Sequence, residues 1–304
     1  MRDQNNFDVV IVGGSYSGLA AALALGRALK QVLIIDEGKP CNKQTPHSHN
    51  FLTNDGKAPG EIAAIAKKEL RNYATVSFCN SMAIDANKTE QGFEIKVGTG
   101  ETFFGKKIIF ATGIKDILPA IDGIAACWGI SVLHCPYCHG YEVRNRPTGI
   151  IGNGDAGFDF TMLISNWTKQ LTLFTNGKST LTEAQVDKLQ KKQIAAIEKE
   201  IASLEHNSGY VRSVVFSDGT RHSVEVIYAP SPFEQHCPIP ESLGCELTEE
   251  GYIKIDGFQE TTIKGVYAAG DNSSKMRTVA NAVAMGTTAG MIISKKMILE
   301  EALN

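Results

Sequence analysis

Phe7-Asp8-Val9-Val10-Ile11-Val12-Gly13-Gly14-Ser15-Tyr16-Ser17-Gly18, followed by the Ala/Leu-rich run Leu19 to Leu29, decides the fold. A short β-branched run with no polar alternation reads as a strand buried on both faces, the pattern of a parallel sheet. A glycine-rich turn and a helix follow, and Val32 to Asp36 (VLIID) reads as a second strand. Strand, tight turn, helix and strand within about 30 residues make a βαβ unit whose turn points backbone N–H groups at an anion. The turn departs from G-x-G-x-x-G because Ser15 holds the middle position. Gly13 still allows the tight turn and Gly18 close helix–strand packing, with Gly14 and Ser15 between them. Asp36, eighteen residues after Gly18, stands where a carboxylate grips ribose hydroxyls.

Outward from this unit, Gly38 to Gly60 is loop-rich, Gly60 to Tyr73 reads as a helix, and Val76 to Lys96 as short strands. Lys107 to Gly113 reads as a strand ending at Ala111-Thr112-Gly113. A second strand–turn–helix begins at Thr148 to Ile151, turns through Gly152-Asn153-Gly154-Asp155-Ala156-Gly157 and continues as a helix over Phe158 to Asn166. Gln170 to Phe174 follows as a strand, Thr182 to Lys192 as a helix, and Ile194 to Ala229 as further strands. Gly265 to Gly270 is a strand before Asp271, and Arg277 to Leu299 is a long helical pattern whose Met276, Met285, Met291 and Met297 read as core. Two nucleotide-type turns, at Gly13 and Gly152, predict an α/β protein with two Rossmann-like, three-layer domains. The helix starting near Thr278 and Val279 would aim its N-terminal N–H groups at an anionic ring edge, with Asp271 bonding a cofactor hydroxyl.

Composition bounds the alternatives. The chain has 304 residues, 43% hydrophobic and 21% charged, with 29 glycines and a net charge of −3. These values exclude a disordered, collagenous or coiled-coil architecture, and the absence of a basic field argues against nucleic acid as a partner. The N-terminal apolar run lacks signal-peptide form, and no uninterrupted apolar stretch reaches about 18 residues. The expectation is a cytoplasmic protein with no membrane partner.

His134-Cys135-Pro136-Tyr137-Cys138-His139-Gly140 carries the chemistry. Two thiols at CxxC spacing close a small disulfide ring and reopen it by exchange. The thiolate is the reactive form, and His139 reads as the neighbouring cation or proton donor. Zinc is the rival reading, but no second CxxC or paired histidine follows at ligand spacing, so no metal is expected. The other five cysteines lie singly and read as buried small apolar residues. His47 and His49 sit in a polar loop and read as solvated or turn-satisfying, with a place beside the cofactor as the alternative.

With these residues in hand, the chain resembles the low-molecular-weight thioredoxin reductase family of pyridine-nucleotide disulfide oxidoreductases. The resemblance rests on the Gly13–Gly18 turn with Asp36, Ala111-Thr112-Gly113, Cys135-Pro136-Tyr137-Cys138, the Gly152–Gly157 turn, and Gly265 to Asp271. It implies an FAD domain split over 1–115 and 237–304, with an NAD(P)H-type domain, 116–236, inserted and carrying the CxxC. FAD would be held by Gly13, Gly14, Ser15, Gly18, Asp36, Asn50, Ala111, Thr112, Gly113, Gly270, Asp271, Thr278 and Val279, and a nicotinamide by Gly152, Gly154 and Gly157. Cys138 would face the flavin, Cys135 would attack the partner's disulfide, and His139 stands where the family has an aspartate. The family's arginine clamp for a 2′-phosphate is missing: Phe174 is followed by Thr175-Asn176-Gly177-Lys178, with one cation, so NADPH use is doubtful. These departures, with the loop Pro46-His47-Ser48-His49-Asn50, resemble a subgroup that includes FAD-dependent dithiol oxidases such as those closing the disulfide of gliotoxin-type metabolites. The resemblance implies a homodimer acting on a thioredoxin-like protein or a small-molecule disulfide or dithiol. Direction stays open between a reductase and an oxygen-consuming dithiol oxidase, and a non-enzymatic flavin-binding redox sensor stands beside both.

Overall fold

The computed structural model describes residues 5–303. Strand β1 (Asn6–Val12) leads into helix α1 (Tyr16–Arg27) and strand β2 (Val32–Ile35). Helix α2 (Pro59–Leu70) begins on a proline, whose missing N–H costs nothing at a helix start. Strands β3 (Val76–Cys79), β4 (Ala83–Lys88), β5 (Phe93–Val97) and β6 (Thr102–Phe110) follow. They assemble in the order β3-β2-β1-β6-β5-β4, with the β1, β2, β3 and β6 pairings parallel. The β6 strand starts five residues before the predicted Lys107, because Thr102 to Gly105 pairs antiparallel with β5. Every residue of β2 is buried, as a strand covered on both faces must be.

After the short strand β7 (Ile114–Asp116) and the single turn α3 (Ile124–Cys127), the chain builds a second sheet. Strand β8 (Val132–Leu133) precedes the short helix α4 (Pro136–His139), which holds the CxxC. Then come β9 (Thr148–Ile151), α5 (Gly154–Ile164), β10 (Leu171–Phe174), α6 (Glu183–Lys191) and β11 (Ala195–Ile197). A three-stranded antiparallel sheet of β12 (Ile201–Asn207), β13 (Tyr210–Phe216) and β14 (Arg221–Ser223) precedes β15 (Val226–Tyr228). The main sheet runs β11-β10-β9-β15-β8 and is parallel throughout. Strand β16 (Phe233–Gln235) pairs with β7, the turn α7 (Ile239–Ser242) follows, and β17 (Val266–Ala268) joins β6 in the first sheet. Helix α8 (Val279–Leu303) ends the described chain.

A mixed sheet with a parallel core and a wholly parallel sheet, each with a glycine turn after an inner strand, are the two Rossmann-like cores expected. The chain divides into two compact units. The first comprises the stretch up to Lys43, Asn50–Lys115, and the chain from Phe233 onwards; the second comprises Gln44–His49 and Asp116–Pro232. The later break falls at Phe233 rather than at 237 because β16 pairs with β7. Both helices after the glycine turns begin earlier than hydrophobic periodicity indicates, at Tyr16 and Gly154. The last residues of each turn already have helical geometry, which low glycine propensity hides.

Helix α8 is long and apolar enough, by length and composition, to cross a bilayer. It carries a stripe of Ala282, Met285, Gly286, Ala289, Gly290, Ile293 and Met297 that is buried, and the larger of these pack with Leu19, Ala21, Ala22 and Leu25 of α1. Each large side chain buried there stabilises the fold by about 1.5–3 kcal/mol. Of the methionines expected in the core, Met285 and Met297 are buried, whereas Met276 and Met291 are more than half exposed. Met276 precedes the helix, and Met291 lies on its outer face.

The α1–α8 crossing depends on glycine. A Cβ on Gly286 would lie 2.0 Å from the Ser17 carbonyl oxygen, and one on Gly290 would lie 2.6 Å from that of Ala21. Backbone cannot yield as a flexible side chain does, so Gly286→Ala should cost about 3 kcal/mol. Gly257→Ala, where a Cβ would meet nothing within 4 Å, should change stability by no more than about 0.5 kcal/mol. Urea unfolding of the two variants measures the difference.

Candidate active site

In the first unit Gly13, Asp36, Ala111 and Gly270 lie just beyond the C-terminal ends of β1, β2, β6 and β17. A Cβ on Gly13 would lie 2.2 Å from the Ala111 carbonyl oxygen, and one on Gly18 would lie 1.9 Å from that of Gly13. Asp36 accepts from the Gly14 N–H through Oδ2 at 2.7 Å and from the Gly38 N–H through Oδ1 at 2.9 Å. Those two bonds fix the carboxylate at the strand end and leave each oxygen a further lone pair. Ser15 is the N-cap of α1, but its side chain makes no capping bond and the first turn holds no acidic residue. The N–H groups there are presented to an anion with nothing of the helix's own competing. Gly270 reaches the same place, since a Cβ there would lie 2.7 Å from Ser17 Oγ.

Sequence reading missed three side chains at this edge. Asn272 is fully buried, and its Nδ2 donates to the Phe110 carbonyl at 2.9 Å and to Thr112 Oγ1 at 3.3 Å, tying the ends of β6 and β17 together. Ser17 is buried beneath Gly270 and Gly286. Arg277 holds Nε 3.9 Å from Asp271 Oδ2. The only signal for Asn272 and Arg277 is position, immediately after Gly270-Asp271 or before the last helix, and for Ser17 its place within the Gly13–Gly18 turn. Thr278 caps α8, its Oγ1 accepting from the Asn281 N–H at 3.2 Å ahead of Val279. Gly113 follows in a left-handed conformation, with φ of 65°. Asn50 is exposed, with its N–H donating to Asp55 Oδ1 at 2.7 Å. An open helix N-terminus, a cradle that any Cβ would fill and a strand-end carboxylate fit an adenine dinucleotide with its pyrophosphate at α1.

The second turn keeps the G-x-G-x-x-G spacing that Ser15 breaks in the first, and has a different chemistry. Gly152 and Gly157 pack backbone to backbone, a Cβ on either meeting the other within 3 Å. Asn153 caps α5, and its Oδ1 accepts from Gly154 N, Thr180 N and Thr180 Oγ1, at 2.9, 2.9 and 3.2 Å. Its Nδ2 donates to the Lys178 carbonyl at 2.9 Å. Asp155 faces α6, accepting from Gln185 Nε2. The loop after β10 is turned in on itself: Thr175 Oγ1 donates to the Gly177 carbonyl, and Asn176 Oδ1 accepts from Ile201 N. Glu198 brings a carboxylate to the same loop through a bond from Ser179 N. Lys178 is exposed there. Lys169 and Lys192 precede β10 and β11, so they stand at the opposite edge of a parallel sheet and cannot rebuild a phosphate clamp beside Lys178.

Cys135 and Cys138 form a disulfide, with Cα atoms 5.3 Å apart. Pro136 opens α4 between them. Tyr137 meets Trp167 edge to face at 5.5 Å, and Trp128 stacks on His134 at 5.7 Å. Gly140 leaves room for that Trp167, since a Cβ would lie 2.8 Å from its Nε1. Of the other cysteines, Cys127 and Cys245 are buried as expected, Cys79 and Cys237 are half-buried, and Cys41 is exposed. Burial pushes the thiols of Cys79, Cys127, Cys237 and Cys245 up, away from the reactive form. Among the described residues no group of three His, Cys, Asp or Glu side chains could hold a metal.

His139 departs from the expectation of a cation. Burial, assisted by the nearby His49, holds its pKa down to about 4. The ring is therefore neutral at pH 7 and able to accept a proton. His49 is not solvated either: its Nδ1 lies 3.5 Å from Glu142 Oε1, while His47 is exposed.

The model for the pyridine nucleotide-disulphide oxidoreductase family matches residues 7–286. The chain belongs to that family. This oxidoreductase is 30% identical over 314 residues to the thioredoxin reductase tcpT of Claviceps purpurea, covering 99% of this chain and 97% of that one. A solved oxidoreductase from Agrobacterium tumefaciens superposes with a TM-score of 0.90 at 34% identity, covering 97% and 99%. The crystal structure of HlmI superposes with a TM-score of 0.93 at 28% identity, covering all of this chain and 96% of that one. It is thus an FAD-dependent enzyme of the thioredoxin-reductase type with a redox-active cysteine pair.

A buried neutral histidine links folding to pH. Between about pH 4 and pH 6.5 the unfolded chain binds a proton at His139 that the folded chain does not, so stability rises with pH across that window and is flat above it. The full shift corresponds to about 3 kcal/mol. His139→Gln should flatten this part of the stability curve relative to wild type, measured by urea unfolding at a series of pH values.

Proposed function

We propose that this flavoprotein works in the oxidative direction. A substrate dithiol gives two electrons to the Cys135–Cys138 disulfide, and FAD, when bound, would supply the two-electron transfer from the reduced pair to dioxygen, which with two protons leaves as hydrogen peroxide. The observation that carries the reading is Asn153. Its amide oxygen stands at the α5 N-terminus, where a nicotinamide dinucleotide would place its pyrophosphate. The loop that would clamp a 2′-phosphate offers one flexible ammonium and has the Glu198 carboxylate bonded to it. A charge-assisted bond is worth roughly 1.5–3 kcal/mol, so losing two guanidinium contacts weakens NADPH by about 3 kcal/mol or more, on the order of a hundredfold.

FAD, on this reading, lies with its pyrophosphate over the Gly13–Gly18 turn and its ribose hydroxyls on Asp36. Its ring edge is against the α8 N-terminus near Thr278 and Val279, and Gly113, Asp271 and Asn50 line the remainder. Cys138 is the sulfur that exchanges electrons with the flavin, Cys135 meets the substrate and His139 moves the proton. The reductive reading, with a thioredoxin-like protein as the acceptor, is favoured by the retained Gly152-x-Gly154-x-x-Gly157 spacing. A cytoplasmic homodimer completes the proposal. Five cysteines that lie outside the disulfide suit a reducing compartment, and Met291 and Ile298, more than half exposed on one face of α8, suit a second copy.

Anaerobic stopped-flow reduction of the flavin tests direction: a dithiol should reduce it readily, and NADPH poorly and with little preference over NADH. A micromolar KM for NADPH with strong discrimination against NADH would return the enzyme to the reductases. Cys135→Ser should leave a Cys138 thiolate that gives a long-wavelength absorption band with the bound flavin. Cys138→Ser should lack it, and a band in both variants or in neither refutes the assignment of roles.

A further inference from the structure

The stretch Gln44–His49 groups with the second unit, although the chain on both sides of it groups with the first. Its last residue brings an imidazole to the CxxC region: His49 Nδ1 lies 3.5 Å from Glu142 Oε1, just beyond the helix that carries Cys138 and His139. The His49 side chain is 18% exposed and that of Glu142 is 38% exposed, so the pair runs from the interior to solvent. His49 also acts electrostatically on His139. Other titratable groups facing this set include His47, its ring 6.3 Å from that of His49, and Tyr228 at the end of β15. The Tyr228 phenol is buried and feels the charge of Glu142.

We propose that His49 and Glu142 form a proton path to solvent that serves His139 during thiol–disulfide exchange at Cys135–Cys138. The proposal rests on the dithiol reading above. In the exchange, one substrate sulfur attacks Cys135 Sγ as its thiolate, the Cys135–Cys138 bond breaks, and Cys138 leaves as a thiolate. The second substrate sulfur, deprotonated in turn, attacks the first, closes the substrate disulfide and releases Cys135. Two electrons pass from the substrate to the cysteine pair. Two protons leave the substrate sulfurs and end on the cysteine sulfurs or in solvent. His139 is adjacent to Cys138 in the chain and accepts such a proton. A buried imidazole holds it weakly, so turnover needs a next acceptor. His49 supplies that acceptor, and Glu142 the exit. His49 and Glu142 are positioning residues, because they act on the sulfurs only through His139.

The test follows the reduction of the Cys135–Cys138 disulfide in the holoprotein by dithiothreitol, without oxygen, using acid quench, alkylation and mass spectrometry across pH 5.5 to 8.5. General acid–base groups contribute on the order of 10²–10⁴ in rate, so loss of a relay member should slow exchange about tenfold or more. His49→Ala should be slow, with a displaced pH profile, and added imidazole should restore the rate. Glu142→Gln should be slow and become dependent on buffer concentration, whereas Glu142→Asp should keep most of the wild-type rate. Wild-type rates and pH profiles in both His49→Ala and Glu142→Gln overturn the proposal. So does slowing that is uniform in pH and indifferent to imidazole and buffer, which marks the pair as a structural strap. If His49→Ala does not fold, the isosteric Glu142→Gln decides alone. A folded, FAD-loaded wild-type protein that exchanges with no dithiol defeats the underlying reading and the relay with it, and is distinguished by failing before any substitution is made.

Discussion

Close approach of helix α1 to everything around it is the constraint on which the first unit depends. Ser17 and Gly18 stand where β1, β6, β17 and α8 meet, and four glycines remove the side chains that would hold these elements apart. Gly13 lies under Ala111, Gly18 under Gly13, Gly270 over Ser17 Oγ, and Gly286 over the Ser17 carbonyl. The hydrophobic gain from Leu19, Leu25, Met285, Ile293 and Met297 is available only at the interhelical distance those glycines permit. The same crowding aims the first turn of α1 past the ends of the sheet, with its N–H groups free of any side-chain cap. Stability and ligand presentation therefore arise from one set of contacts.

The two glycine turns show how little of a binding site lies in its glycines. Both place a helix N-terminus after a parallel strand, and both have backbone packed against backbone. Beyond that they diverge in what satisfies the helix. At α1 the donors await an external acceptor. At α5 the Gly154 N–H has an internal acceptor: the Asn153 side-chain oxygen accepts from it and twice from Thr180, and the side-chain nitrogen donates to the Lys178 carbonyl. The second unit has the architecture of a nucleotide domain, with the first N–H of α5 bonded to the Asn153 side chain.

Most of the architecture was legible because it follows from short-range rules. Uninterrupted β-branched runs such as Val32 to Ile35 announce a doubly covered sheet, and glycine spacing announces the turns. The CxxC was legible because few chemistries use that spacing. What could not be read depends on contacts distant in sequence. Asn272 matters because it reaches Phe110 and Thr112, and nothing in its neighbours says so. His139 looks like a near-neutral imidazole until its burial and the approach of His49 are known. Met285 and Met291 look alike by residue type, but six residues of helix set them about 120° apart, so the first joins the stripe against α1 and the second is surface.

Strand β6 divides its outer edge: Thr102 to Gly105 pairs with β5, and Ile108 to Phe110 pairs with β17. The first partner lies a hairpin away, but the second is not synthesised until the chain has passed through the whole second unit. While the ribosome makes that unit, the inner half of β6 carries an unpaired edge, the kind of surface that invites mispairing with another chain. The second unit, whose own contacts are more local in sequence, can fold first and return β16 to β7. That return would carry the last strand towards the gap. Assembly of the first unit is then timed by completion of the second, and a nascent chain stalled before residue 266 exposes a sticky edge in the middle of its main sheet.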